Sequence, residues 1–174
     1  MKEYAIEHRP FQIDDLTAPL LPLAVYQQAH EGMVIACHDV MIYLEDREAW
    51  LLIMRKNNPA QDFLWPLGGR LLRGMSTEES IRNRVRKESK LELYDVEIVG
   101  QARTYFHTDP FGHGKGTDTL NVLLCAKAKG EIELDNLHEH PTFIQKQDYT
   151  PSFIASLHVY VQDLFELGWA YIGE

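Results

Sequence analysis

Two adjoining stretches constrain this chain more than any other: Leu67-Gly68-Gly69-Arg70-Leu71-Leu72, and Ser76-Thr77-Glu78-Glu79 just after it. A short strand-like run with a paired glycine leads into a helix marked at both ends. Ser76 or Thr77 opens the helix, and Glu79 follows Ser76 at the spacing of a capping box. Glu78 and Glu79 fall in the first turn, while Arg86, Lys87 and Lys90 cluster near the end, as the helix macrodipole favours. Ile81 and Val85, one helical turn apart, give it a single narrow apolar face. The unit read here is strand, turn, helix.

The flanking segments extend that pattern. Ile13 to His30 reads as helical, with leucines at 16, 20, 21 and 23, but Pro19 and Pro22 require it to be broken or late-starting. Met33 to Leu44 and Ala49 to Met54 form a β-hairpin about the polar turn Glu45-Asp46-Arg47-Glu48, and Asn57-Asn58-Pro59 ends it. Val96 to Phe106 and Thr119 to Ala128 are strand-like, joined by the glycine-rich loop HTDPFGHGKGTD. A final helix begins after Pro151, with Phe153, Ile154, Leu157, Tyr160, Val161, Leu164 and Phe165 at helical spacing, of which Phe153, Tyr160 and Phe165 face the core. The order helix, strands, helix, strands, helix predicts an α/β fold, a mixed sheet with helices on both faces. A chain of 174 residues suits one domain, and there is no internal repeat or low-complexity linker to divide it.

Charge and composition remove several classes of function. A net charge of −9 repels a phosphate backbone, which argues against broad nucleic-acid binding. The opening MKEYAIEHRPFQIDD lacks the apolar core of a secretory signal, and the longest apolar runs, such as Trp50 to Met54, are far too short to span a bilayer. Cys37 and Cys125 lie in the apolar runs VIAC and VLLCA, where a buried thiol acts as a small hydrophobe. No disulfide framework is implied, so a reducing, cytoplasmic setting is expected.

The segment from Gly69 to Leu91 resembles the Nudix box, G-x5-E-x7-R-E-U-x-E-E-x-G-U, where U is bulky and apolar. The resemblance implies a Nudix domain over 1–174, with an N-terminal extension at 1–31 and a degenerate box at 69–91. In that family several helix carboxylates hold Mg²⁺ against a substrate diphosphate, using the hard oxygen ligands that ion prefers. Laid on the pattern, Gly69, Val85, Glu88 and Leu91 keep their places. Met75, Asn83, Arg84, Lys87 and Lys90 stand where the family has other residues. Two of the usual ligand positions, Arg84 and Lys87, are cationic, so a multi-metal site cannot assemble.

Asn57-Asn58-Pro59-Ala60-Gln61 through Leu67-Gly68-Gly69-Arg70 looks like the corresponding stretch of the GDP-mannose mannosyl hydrolase branch. That resemblance implies a single, weakly held Mg²⁺ on Glu88 and the backbone carbonyl of Gly69. It also implies a third ligand, a glutamine, where this chain has Leu137, and a general base at His138. Arg55 and Arg70 match arginines that contact the nucleotide, and Gly116-Thr117-Asp118 resembles a further loop of that branch, which makes Asp118 a substrate contact. The implied activity is hydrolysis of a nucleoside diphosphate linked to another moiety, a nucleotide sugar such as GDP-mannose. The expected partner is a small nucleotide diphosphate ligand, with a homodimer as a further expectation and no nucleic acid or membrane. The alternative is a catalytically silent Nudix domain that binds a nucleotide or small ligand.

Several residues carry two readings. Glu88 is a metal ligand or a helix residue paired with Arg84. Arg84 and Lys87 are a solvated basic face, or they hold a diphosphate directly, arginine as a bidentate fork and lysine as a point charge. His138 is a general base working near neutral pH or a surface-loop histidine. His138 and His140 with His107 or His113 suggest a transition-metal site, the weaker reading. Gly112, Gly114 and Gly116 fail as a P-loop, since no Lys-Ser/Thr pair follows, and read instead as a flexible hairpin at the mouth of a pocket. Trp65 is placed to stack on a base, Trp50 in the core.

Overall fold

The computed structural model describes residues 1–3 and 12–173. Residues 4–11 of the N-terminal extension lie outside the described residues. Strands β1 (Ile35–Leu44), β2 (Ala49–Arg55), β3 (Leu64–Trp65), β4 (Leu67–Arg70), β5 (Glu92–Phe106), β6 (Thr117–Lys129) and β7 (His138–Gln145) form one mixed sheet. Helices α1 (Leu23–Gly32), α2 (Thr77–Ser89), α3 (Pro151–Ser156) and α4 (Val159–Tyr171) surround it. β1 runs parallel to β6 along most of its length, and β5 pairs antiparallel with β6.

β1 and β2 form the expected hairpin only near their turn, with Ile42, Tyr43 and Leu44 opposite Leu51, Trp50 and Ala49. Beyond that the strands splay. The free edge of β1 pairs with β4, and the matching edge of β2 pairs with β3. The opening between the hairpin arms leads to the cavity described below.

Period-two alternation divides the sheet into two buried faces. Val40, Ile42, Leu51, Ile53, Val122 and Leu124 pack on one face with Ile81 and Val85 of α2. Met41, Trp50, Leu52, Leu123 and Cys125 pack on the other with Tyr160, Val161, Leu164 and Phe165 of α4. Both faces are covered, which is why these strands read as nearly continuous apolar runs. Phe153 is only partly buried against that second core.

Some boundaries differ from expectation. Pro19 and Pro22 do break the first helix: a short 3₁₀ turn at Ile13–Leu16 is followed by α1 only from Leu23. The C-terminal helix is two helices, because Leu157 is extended and the His158 ring caps a new start by accepting from the Tyr160 N–H at 3.2 Å. β5 begins at Glu92, four residues before the expected Val96, and carries two register shifts against β6. The loop expected as a flexible hairpin at the mouth of a pocket, residues 107–116, does join the antiparallel β5 and β6 and lines the cavity through Pro110, and it is internally hydrogen-bonded. The Asp109 carboxylate accepts from the backbone N–H groups of Phe111, His113 and Gly114 at 2.8–3.1 Å. The turn docks on α1 through His113 to His30 (2.9 Å) and Lys115 to Glu31 (2.6 Å).

Candidate active site

Helix α2 is fixed at both ends. Ser76 caps it by accepting from the Glu79 N–H at 3.2 Å, and Lys90 closes it in a left-handed conformation. In its middle the Ser80 hydroxyl joins the buried His38 ring of β1 at 2.9 Å and accepts from the Leu72 N–H at 3.1 Å. Burial pushes the His38 imidazole down to about 4, so it stays neutral at ordinary pH. This anchor turns Arg84 and Glu88 toward β4. The register of β4 on β1 sets Gly68, Gly69 and Arg70 opposite Asp39, His38 and Cys37. At Gly68 the backbones come so close that a Cβ would lie 2.2 Å from Asp39 Oδ1 and 2.3 Å from the His38 carbonyl oxygen. Only glycine fits there.

A cavity of about 290 Å³ opens at this junction. Six of the eight expected site residues line it: Arg55, Gly69, Arg70, Arg84, Glu88 and His138. Two do not. Lys87 is exposed and borders a separate groove beside Thr17–Leu21. Asp118 forms an exposed two-pronged ion pair with Arg103, at 2.9 and 2.8 Å.

His138 is held in two ways. It lies directly across the β2–β7 ladder from Arg55, and its Nδ1 meets Asp135 Oδ1 at 2.7 Å. Asp135 is itself strapped to α2, its N–H donating to the Glu88 carbonyl at 2.9 Å. With Nδ1 engaged by a carboxylate, Nε2 is the ring nitrogen left for a ligand. His138 is thus no loose surface histidine: it is 9% exposed. His140, by contrast, is exposed, and among the described residues no group of three or more His, Cys, Asp or Glu is gathered as a metal centre.

The cavity is cationic although the chain is acidic, with three arginines facing two carboxylates, Glu88 and Asp39. Arg55 is half-buried, its buried Nε has no hydrogen-bond partner among the described residues, and desolvation draws its guanidinium downward in pKa. Glu88, 5% exposed, has Oε1 on Arg84 at 3.0 Å, while Oε2 is buried without a hydrogen-bond partner among the described residues. Burial raises the Glu88 carboxyl against the pull of Arg84. Asp39, deeper in, accepts from the Tyr160 hydroxyl at 2.5 Å, yet burial dominates and pushes it up to about 6. An orphaned buried donor and an orphaned buried acceptor in one cavity are costly unless a ligand completes them.

The residues fit the single Mg²⁺ implied by resemblance poorly. Glu88 is one carboxylate where a hard cation prefers several oxygens, and Leu137 lines the cavity with an apolar chain where the third ligand is expected. The Arg84 guanidinium also stands against Glu88 and beside Gly69. Its Nη1 donates to Glu88, its Nη2 to the Arg70 carbonyl at 3.2 Å, and its Cζ lies 3.4 Å from where a Gly69 side chain would begin.

Trp65 and Asn57 to Ala60, singled out in the sequence, also line the cavity; other lining residues were not anticipated. Tyr26 and His30 of α1 form one wall, the Tyr26 ring lying 3.9 Å from the Arg70 guanidinium carbon. Trp65 lines the cavity while stacked on Tyr160, with centroids 5.1 Å apart. Thr104, Thr119 and Asn121 make a polar ledge, the Asn121 amide donating to both threonine hydroxyls at 3.0 Å. A signal existed for some of these: His38-Asp39 and Asn121 interrupt otherwise apolar strands. Nothing local marks Tyr26, His30 or Asp135.

No protein-family model and no curated protein matches this chain. Solved structures do. A MutT Nudix hydrolase from Burkholderia pseudomallei superposes with a TM-score of 0.60 at 16% identity, covering 78% of this chain and 98% of that one. The fold is the Nudix fold. A MutT protein from Methanosarcina mazei gives a TM-score of 0.58 at 17% identity, with 76% and 91% covered. The Nudix domain of Shewanella oneidensis NrtR, complexed with ADP ribose, gives 0.57 at 11% identity, with 84% and 97% covered. Within this Nudix fold the cavity is lined by residues from all seven strands together with α1 and α2. Among the described residues no helix is long and apolar enough to cross a membrane.

Proposed function

We propose that the protein hydrolyses a nucleoside diphosphate linked to another moiety, a nucleotide sugar such as GDP-mannose, with His138 as general base. The observation that carries this reading is the Asp135–His138 pair set into a cavity with three arginines. A carboxylate on Nδ1 fixes the tautomer in which Nε2 accepts a proton, and it stabilises the imidazolium that results. Arg55, Arg70 and Arg84 supply the charge to hold a diphosphate, and Trp65 supplies an aromatic surface for a base. Water gives its proton to His138 Nε2, and its oxygen bonds to the glycosyl carbon or to a phosphorus. The nucleoside phosphate leaves with the electron pair of the broken bond and regains a proton. The ADP ribose bound in the Shewanella domain is a ligand of the same chemical class. No step here is routed through Mg²⁺, because Arg84 already engages Glu88.

One observation favours the silent alternative: the carboxylate matched to metal binding is held by Arg84. Hydrolysis of a panel of nucleoside diphosphate sugars separates the two. Removing a positioned general base costs roughly 10²–10⁴ in rate, so His138→Asn should lose that factor in kcat while GDP affinity holds. GDP binding without turnover of any sugar nucleotide would establish the silent domain instead.

A further inference from the structure

We infer that Arg84 is the resident cation of this site, its guanidinium standing where a divalent ion is implied, so that a ligand's diphosphate is bound without metal. The inference rests on the cavity being a diphosphate site, as proposed above, and adds how the charge is met.

Position is the first argument. The guanidinium is held between the Glu88 carboxylate (3.0 Å) and the Arg70 carbonyl (3.2 Å), within contact range of Gly69. Glu88 is one of the two groups implied as ligands of a hard cation; the other, the Gly69 carbonyl, belongs to the residue next to Arg70, whose carbonyl the guanidinium engages. A metal seated on them would stand beside a fixed positive charge, and like charges that close in a partly buried site repel strongly.

Capacity is the second. A guanidinium has five N–H donors in one plane. Glu88 and the Arg70 carbonyl take two, which leaves three for a ligand, enough for a bidentate grip on a phosphate. The side chain is pinned by its two partners and is 23% exposed, so little entropy is lost when the phosphate arrives.

Selectivity along the helix is the third. Sequence alone could not divide Arg84 from Lys87, the two cations at ligand positions of the box. Arg84 lines the cavity as well as the neighbouring groove, whereas Lys87 borders the groove alone and is exposed. One substitution reworks the site, and the other belongs to the surface.

The test is calorimetric titration of GDP into the full chain, in EDTA and in Mg²⁺, for wild type, Arg84→Gln and Lys87→Gln. Wild type should bind GDP in EDTA within ~3-fold of its affinity in Mg²⁺, a difference of under about 1 kcal/mol. Arg84→Gln should lose ~10-fold or more in EDTA, and Lys87→Gln should stay within ~2-fold. Mn²⁺ titrated into nucleotide-free wild type and followed by electron paramagnetic resonance should show no stoichiometric binding. If Arg84→Gln fails to fold, the two wild-type measurements decide. GDP binding that requires Mg²⁺, or stoichiometric Mn²⁺ lost in Glu88→Gln, would overturn the role of Arg84 and leave the diphosphate site standing. Absence of GDP binding in both conditions would remove the proposed function, and this inference with it.

Discussion

Replacing Asp39 with asparagine should stabilise the protein at neutral pH and matter much less in acid. Asp39 is 7% exposed, and burial raises its carboxyl from the usual 3.8 to about 6. The folded state therefore binds the proton more tightly than the unfolded chain does. Stability from this group is complete below pH 3.8 and is lost as pH rises through about 6, where the buried carboxylate must ionise. A displacement of about two pH units corresponds to roughly 3 kcal/mol once both states are ionised. At about pH 4.5 the two-state linkage expression leaves only roughly 1 kcal/mol, because the folded carboxyl is still protonated. Asparagine keeps an oxygen that can accept from Tyr160 and carries no charge. The stability gain of Asp39→Asn should therefore be about 2 kcal/mol larger at about pH 8 than at about pH 4.5, whatever fixed offset the amide introduces. Urea unfolding of both proteins at the two pH values reads this directly. A gain that does not change with pH, or one larger in acid, would refute the claim that burial outweighs Tyr160 and Arg55 in setting this carboxyl.

Gly68→Ala should destabilise by roughly 1–3 kcal/mol or more and loosen β4 from β1, since its Cβ would fall 2.3 Å from a backbone oxygen; thermal unfolding checks it. Asp118→Ala should leave GDP affinity within ~2-fold, because Asp118 is engaged with Arg103 on the surface; a large loss in calorimetry would return it to the ligand site. Cys37 and Cys125 are buried, with thiols pushed up to about 12, so a thiol reagent should label neither natively and both after denaturation.

How far the sequence discloses this molecule depends on whether the signal is local. The α2 helix is legible because Ser76, Glu79 and the basic last turn mark its ends, and its span is as expected to within a residue. The two-faced core is legible because alternating positions of β1, β2 and β6 are apolar on both sides. β7 is not, since Pro141 and the polar His138-Glu139-His140 disguise a strand that buries mainly Ile144 along β2. The division of the last helix at His158 is hidden as well, because apolar spacing continues across the break. The same limit holds in the cavity. Arg55, Arg70, Glu88 and His138 were reachable through the box and its neighbours. The Tyr26 wall and the Asp135 partner of His138 depend on packing between segments far apart in the chain, or on a loop strapped to α2. Arg84 and Lys87 could not be told apart until the anchor of Ser80 on His38 fixed the rotation of the helix.

The most direct test of a diphosphate site between the arginines and the His138–Asp135 pair is a crystal grown with GDP in the presence of a chelator. The account predicts density for the diphosphate in this cavity, with its oxygens in hydrogen-bond reach of Arg84 and Arg70 and the terminal phosphate facing His138 Nε2. An empty cavity at saturating GDP, or a nucleotide bound elsewhere on the chain, would contradict it.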